Sequence, residues 1–206
     1  MTLLIGIMAD SHGRPEMIRD ALAALKGLSC RAVYHLGDVC DSAHPETAEA
    51  CLGLLHEQHV MMIKGNNDYA IIAGHIDRPT PFADREVWEY LQAAPLIRYY
   101  QNAVFTHSLP FAATMGLACM IGTMGTRAAR QTFAKFSRHI IFRGHSHTPE
   151  IVRPHAASVS SRRLESGETI DLAGKIPCVV TIGALTRGLY MVWNPAENSI
   201  ICLSLA

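Results

Sequence analysis

Residues 3–25 read LLIGIMADSHGRPEMIRDALAAL. The apolar run Leu3 to Ala9 stops abruptly at the polar loop Asp10-Ser11-His12. From Pro15 to Leu25 apolar side chains return at helical spacing, as Met17, Ile18, Ala21, Leu22 and Leu25. The reading is a buried strand, a polar loop and a helix. The opening run has no basic region before it and ends within ten residues, so it predicts a core strand and not a signal segment.

The same unit recurs downstream. Ala32 to Leu36 predicts a second strand ending at Gly37-Asp38, and Pro45 to His56 a second helix, with proline suited to its first turn. Val60 to Ile63 predicts a third strand ending at Gly65-Asn66. Strand, helix, strand, helix, strand implies right-handed crossovers and a largely parallel sheet. The second half predicts a helix over Asp84–Ala93, a strand over Ala103–Thr106, a helix over Thr126–Phe136 and a strand over Ile140–Phe142. Short strands with turns follow, at Glu150–Arg153, Cys178–Ile182, Leu189–Trp193 and Ile200–Leu203, the last two joined by Asn194-Pro195. The expectation is an α/β fold in one domain, residues 1–206, with two mixed β-sheets face to face and helices outside. A helical insertion at about 108–137 carries the soft, glycine-interrupted segment Phe111–Met124.

Composition sets the outer bounds. The 206 residues are 49% apolar and 17% charged, enough for a substantial core. Eighteen basic and eighteen acidic side chains give zero formal charge, so extended nucleic acid is not an expected partner. No apolar stretch reaches the 18 or so residues that span a bilayer. The six cysteines are scattered without a CxxC pair, which predicts reduced, mostly buried thiols and a cytoplasmic protein.

Residues with ligand chemistry collect where predicted strands end. Asp10 and His12 follow the first, Asp38 and Asp41 the second, and Asn66, Asn67 and Asp68 the third. His107 follows the Ala103 strand, and His145 and His147 the Ile140 strand. Carboxyl ends of strands form one rim in an α/β sheet, and ligands bind there. Five segments therefore deliver polar groups to one crevice, which packing does not require. Carboxylate, amide oxygen and imidazole without thiolate suit Mn, Fe, Zn, Ni or Co. Two such ions about 3.5–4 Å apart clamp a phosphoryl group and activate water. A shared carboxylate is needed to hold them so close, and Asp38 after Gly37 is the candidate.

Asp10-Ser11-His12, Gly37-Asp38-Val39-Cys40-Asp41, Gly65-Asn66-Asn67-Asp68, Thr106-His107-Ser108 and Gly144-His145-Ser146-His147 resemble, in order, the five motifs of calcineurin-like metallophosphoesterases. The small bacterial and archaeal phosphodiesterases of that group look most similar. The resemblance implies a dinuclear site that hydrolyses phosphodiesters through a hydroxide held between two divalent metals. It implies Asp10, His12 and His147 as ligands of one metal, Asn66, His107 and His145 of the other, and Asp38 as the bridge. It also implies a supporting place for Asp41. Phosphomonoesters, dinucleoside polyphosphates and a non-catalytic protein-binding scaffold are the alternatives. The expected partner is a small phosphate ester, nucleotide-derived ones included, and a homo-oligomer is compatible with the sequence.

One departure stands out. Many members of the family carry histidine where this chain has Asn67, placed to protonate the leaving group and oriented by the position of Asp68. An amide does not titrate in the useful range. Asn67 and Asp68 are therefore the catalytic positions to inspect, with His75 as a candidate replacement acid. Arg14 and Arg187 lie in turns that suit phosphate contact, although solvated surface is the commoner fate of arginine. Taken alone, Asn66 and Asn67 would read as turn residues. Among the remaining histidines, His35 and His139 read as strand residues and the rest as surface.

Overall fold

The computed structural model describes residues 3–76, 78–79, 82–156 and 158–205. The amino-terminal part runs β1 (Ile5–Met8), α1 (Pro15–Gly27), β2 (Ala32–His35), α2 (Ala48–Glu57), β3 (Met61–Met62), α3 (Asn66–Gly74) and α4 (Arg85–Ala93). The middle runs β4 (Ile97–Tyr100), β5 (Ala103–Thr106), α5 (Ala112–Met115), α6 (Thr126–Lys135) and β6 (Ile140–Arg143). The remainder is β7 (Glu150–His155), β8 (Ser158–Arg163), β9 (Thr169–Asp171), β10 (Cys178–Thr181), β11 (Leu189–Asn194) and β12 (Ser199–Ser204).

Among the described residues these strands form two six-stranded sheets, ordered β3-β2-β1-β11-β12-β9 and β4-β5-β6-β10-β7-β8. Each is mixed. β1, β2 and β3 are mutually parallel, as are β5, β6 and β10, and the neighbours of these trios run antiparallel. The face-to-face arrangement and the α/β class agree with the expectation from sequence.

Alternation along the strands sorts side chains into three apolar layers. Ile5, Ile7 and Tyr34 of the first sheet meet Phe105, Phe142 and Val180 of the second between the sheets. Tyr34 stacks on Phe105 at 4.0 Å between ring centroids. Met8 and Val192 face outward against Ile18, Leu25, Leu52 and Trp88 of the helices. Val104, Ile141 and Val179 face the opposite way, against Ala129 and Phe133 of α6. Helices therefore close both outer faces, giving the four-layer order α-β-β-α. The helix periodicity of α1 is genuine: Ile18, Ala21 and Leu25 are its buried stripe.

The differences from the sequence reading have local causes. β4, β8 and β9 were not expected. β4 and β8 lie at the two ends of their sheet and β9 at the end of the other, where strands are half-solvated and lose their apolar signature. β8 reads SVSSRR and is almost wholly exposed. Residues 66–74 form a helix that the sequence reading did not assign, although Asn66 and Asn67 taken alone read as turn residues. Asp68 stands at the third helical position and its carboxylate accepts the Gly65 N–H, which nucleates that turn. The expected helix at 45–56 is split into a 3-10 turn, Pro45–Thr47, followed by α2. All six cysteines are free, and all but Cys30 are buried. Among the described residues no helix is long and apolar enough to cross a membrane.

Trp193 is the largest fully buried side chain, set between the sheets against Phe142 and Phe105. Trp193→Ala is expected to cost about 3–5 kcal/mol in urea unfolding. Tyr99→Ala, at a side chain 62% exposed, should stay within about 0.5 kcal/mol. Similar costs for the two would show that the inter-sheet layer is not the core.

Candidate metal centre

The parallel trios point their carboxyl ends to one rim, and the loops that follow are laced together. Asp10, His12 and Gly13 donate their N–H groups to the carbonyls of Gly37, Asp38 and Val39. Gly144 N–H bonds the His107 carbonyl, and Leu185 and Thr186 donate to Ala9 and Asp10, which joins the sheets. The backbone is strained at this rim. Asp10, His12, Asp38, His145 and His147 all adopt positive φ, between 42° and 69°, a region that side-chain-bearing residues seldom occupy. Two glycines permit the close approach. Gly37 has φ +93°, and a Cβ there would lie 2.6 Å from the Gly65 nitrogen. A Cβ on Gly144 would lie 2.8 Å from that of Ala9 and 2.9 Å from an Asp10 carboxylate oxygen.

Two groups of side chains converge in this frame. Asp10, His12 and His147 form the first. His12 Nε2 lies 3.0 Å from His147 Nε2, and His147 Nε2 lies 3.7 Å from Asp10 Oδ1. Asp38, His107 and His145 form the second, with His107 Nε2 3.2 Å from both His145 Nδ1 and Asn66 Oδ1. Asp38 stands between them: its Oδ2 is 4.0 Å from His12 Nε2 and 3.6 Å from His107 Nε2. All seven side chains expected as metal ligands are thus within one crevice.

Protonation decides what this arrangement can hold. His107 Nδ1–H donates to the Leu36 carbonyl at 2.8 Å, which leaves Nε2 as an unprotonated donor atom. The His145 ring bonds the Ile121 backbone, and its Nδ1 faces His107 Nε2 at 3.2 Å. Burial pushes the pKa of His107 down to about 4 and lowers those of His145 and His147, so the rings are neutral near pH 7. The His107 Nε2 lone pair and the Asn66 oxygen therefore meet at 3.2 Å with no proton between them. Such a cluster is repulsive unless a cation sits at its centre. The donor set is oxygen and imidazole nitrogen, which fits divalent transition metals.

The carboxylates repeat the argument. Burial, and then the nearby Asp38 charge, raises Asp10 well above its ordinary value and Asp68 to about 7. Asp68 is fully buried and accepts N–H bonds from Asp38, Cys40 and Gly65, each at 2.9 Å. It holds two loops together and faces backbone, whereas the resemblance implied that it orients residue 67. Asn67 is clamped as well. Its Oδ1 accepts from the Ser42 hydroxyl at 2.7 Å and from the Ser42 N–H, and its Nδ2 donates to Asp38 Oδ2 at 2.8 Å. Asp41 accepts from Ala43 N–H in its own turn, and the support expected of it comes from Asp68.

Two other expectations move. His75 caps the far end of α3 and bonds the Ile71 carbonyl, about 13 Å along the helix axis from Asn66, so it is no replacement acid. Arg14 and Arg187 are both exposed, but the charge of Arg187 lowers the pKa of His147, which places it beside the crevice. Arg143 was missed. Its buried guanidinium bonds the Ser108 carbonyl and hydroxyl, Ser146 Oγ and Thr181 Oγ1, and so ties together the loops that carry His107, His145 and His147. An arginine inside an otherwise apolar strand, IIFR, was the available signal. His35, also fully buried, bonds the Ser11 hydroxyl at 3.0 Å, and burial pushes its pKa down to about 3.

A family model, the calcineurin-like phosphoesterase superfamily domain, matches residues 3–183. The chain belongs to that superfamily. Among solved structures, a metallophosphoesterase from Sphaerobacter thermophilus is similar over the whole chain and 89% of its own, with TM-score 0.78 and 18% identity. A hypothetical protein from Pyrococcus horikoshii is similar over 98% of this chain and 88% of its own, with TM-score 0.65 and 14% identity. An archaeal phosphodiesterase is similar over 98% of this chain and all of its own, with TM-score 0.55 and 14% identity. At these identities the likeness is one of fold. No curated protein matches the chain significantly.

The buried carboxyls give a pH signature for this calcineurin-like chain. Asp10 and Asp68 bind protons more tightly folded than unfolded, so with chelator present stability should fall as pH rises from about 4 to about 7. Manganese should flatten that slope, because a bound cation takes the proton's place. Thermal unfolding at several pH values, with chelator and with manganese, measures both. Equal slopes in the two series would show that no cation occupies the cluster.

Proposed function

We propose that Asp10, His12 and His147 hold one divalent cation, that Asn66, His107 and His145 hold a second, and that Asp38 serves both. On this reading the chain hydrolyses phosphate esters, diesters in preference to monoesters. The observation that carries it is the place of Asp38 Oδ2, within 4.0 Å of a ring nitrogen from each cluster. Two cations so held would withdraw charge from phosphoryl oxygens and lower the pKa of a bound water. The diester preference rests on likeness to the motifs of the small phosphodiesterases.

The protein's own groups divide the remaining work. The Leu36 carbonyl fixes which nitrogen of His107 faces the crevice. Asn67 steadies the shared carboxylate, with its own amide held by Ser42. It supplies no proton to a departing alkoxide. Leaving groups that are stable as anions are then the natural substrates. A second reading, a protein-contact surface, is favoured by the exposed side chains of Met115, Leu117 and Ile121. Complete filling of both ligand clusters supports catalysis first.

An activated aryl phosphodiester and its monoester should both be assayed with manganese and with chelator. The diester is expected to be cleaved faster, only with metal, and at least about 100-fold more slowly by Asp38→Asn, since losing even a partner outside the ligand set costs roughly 10–100-fold. Undiminished activity of that variant would sink the site, and a faster monoester would sink the diester preference. Asn67→His should raise the rate on poor leaving groups relative to good ones by at least about 10-fold, the lower part of what a general acid contributes. A leaving-group series whose slope is the same in both proteins would contradict the account of Asn67.

A further inference from the structure

The segment that follows His107 carries apolar surface next to the metal centre. Six large apolar side chains are strongly exposed among the described residues, and Met115, Leu117 and Ile121 are three of them. Ile121 is the most exposed of all, at 64%. Scattered single exposures are ordinary, but this one has a fixed place. The Ile121 backbone bonds the His145 ring, which sets it against a candidate metal ligand. Neighbouring bonds hold the segment there: Leu109 N–H donates to the Cys119 carbonyl at 2.9 Å, and the Ser108 hydroxyl to the Gly122 carbonyl. Ile121 thus stands at the edge of the crevice with its apolar side chain exposed, in the place of a lip.

We infer that Ile121 is a specificity-determining residue, and that its lip takes an apolar or aryl substituent of the ester bound at the metal centre. The inference rests on the proposed phosphoesterase reading of that centre. A substituent laid against Ile121 leaves water together with a side chain that otherwise stays wet, and that contact favours bulky flat groups over methyl. It is compatible with Asn67, because aryl oxygens leave as stable anions without a proton donor.

The test compares phenyl and methyl esters of one activated phosphodiester with the manganese-loaded protein, in wild type, Ile121→Ser and Ile121→Phe. Calorimetry with phenylphosphonate and methylphosphonate gives a second readout that needs no turnover. The phenyl-to-methyl ratio, in kcat/KM and in affinity, is expected to fall about 5- to 30-fold in Ile121→Ser, the range for lost apolar contact in a pocket. In Ile121→Phe it should be kept or raised. Unchanged ratios in both variants overturn the lip alone. Absence of metal-dependent hydrolysis of either ester by wild type overturns the reading of the site, and the lip with it. A dimer that dissociates in Ile121→Ser, with selectivity unchanged, overturns the lip in favour of an interface between copies.

Discussion

The carboxylate of Asp68 is the fixed point of this structure. It is fully buried and accepts three backbone N–H groups, from Asp38, Cys40 and Gly65. One residue thereby locks the loop after β2 to the start of α3. Asp38 and Asn66 are then placed by backbone, with no freedom left to their loops. Because α3 begins at Asn66, the Asn67 N–H points at Asp38 Oδ1, 2.9 Å away, and the amide side chain reaches the other oxygen. A buried carboxylate without such partners would be costly. Here three N–H bonds repay part of that cost, and the remainder shows as the raised pKa.

The rim as a whole stores strain. Five candidate ligands in the left-handed region, at about 1–3 kcal/mol for each sparsely populated backbone state, amount to a large fraction of a domain's net stability. The compensation is visible in the interlocked loop hydrogen bonds, in the Arg143 fork across three loops, and in the two aromatic-rich faces beneath. Strain of this kind orients side chains that regular strands would turn away from one another. A cation shared between lone pairs that otherwise repel each other would supply the rest, and so the site and its stability are the same problem.

Much of this was legible before any coordinates. Regular spacing marked α1, α4 and α6, and short apolar runs marked β1, β2, β5, β6 and β10, because those elements are buried on a defined face. The convergence of the seven expected ligand side chains was legible too, since strand ends converge whatever the sequence between them. The edge strands β8 and β9 were not, because a half-solvated strand carries no apolar stripe. The turn-like Asn66-Asn67 pair concealed a helix, because the partner that starts it, Asp68, acts through hydrogen bonds to distant loops. Arg143 had a signal, its place in an apolar strand, but Leu36 and Ile121 were out of reach for the same reason. Both act through the backbone, which every residue has, and their role exists only once the fold brings a ring to it.

Asn67 shows how these constraints bear on chemistry. The amide has two ends with opposite hydrogen-bonding character. Its oxygen is occupied by Ser42, so its nitrogen must donate, and the acceptor it meets is the carboxylate common to both clusters. A protonated imidazole at this position, the form that could act as an acid, donates from both nitrogens and accepts at neither, so it would leave the Ser42 hydroxyl and N–H to find another acceptor. The chain therefore exchanges a proton donor for a rigidly held shared carboxylate. On the proposed phosphoesterase reading, that exchange suits a leaving oxygen already stable as an anion, and an apolar contact at Ile121 would favour aryl esters of that kind.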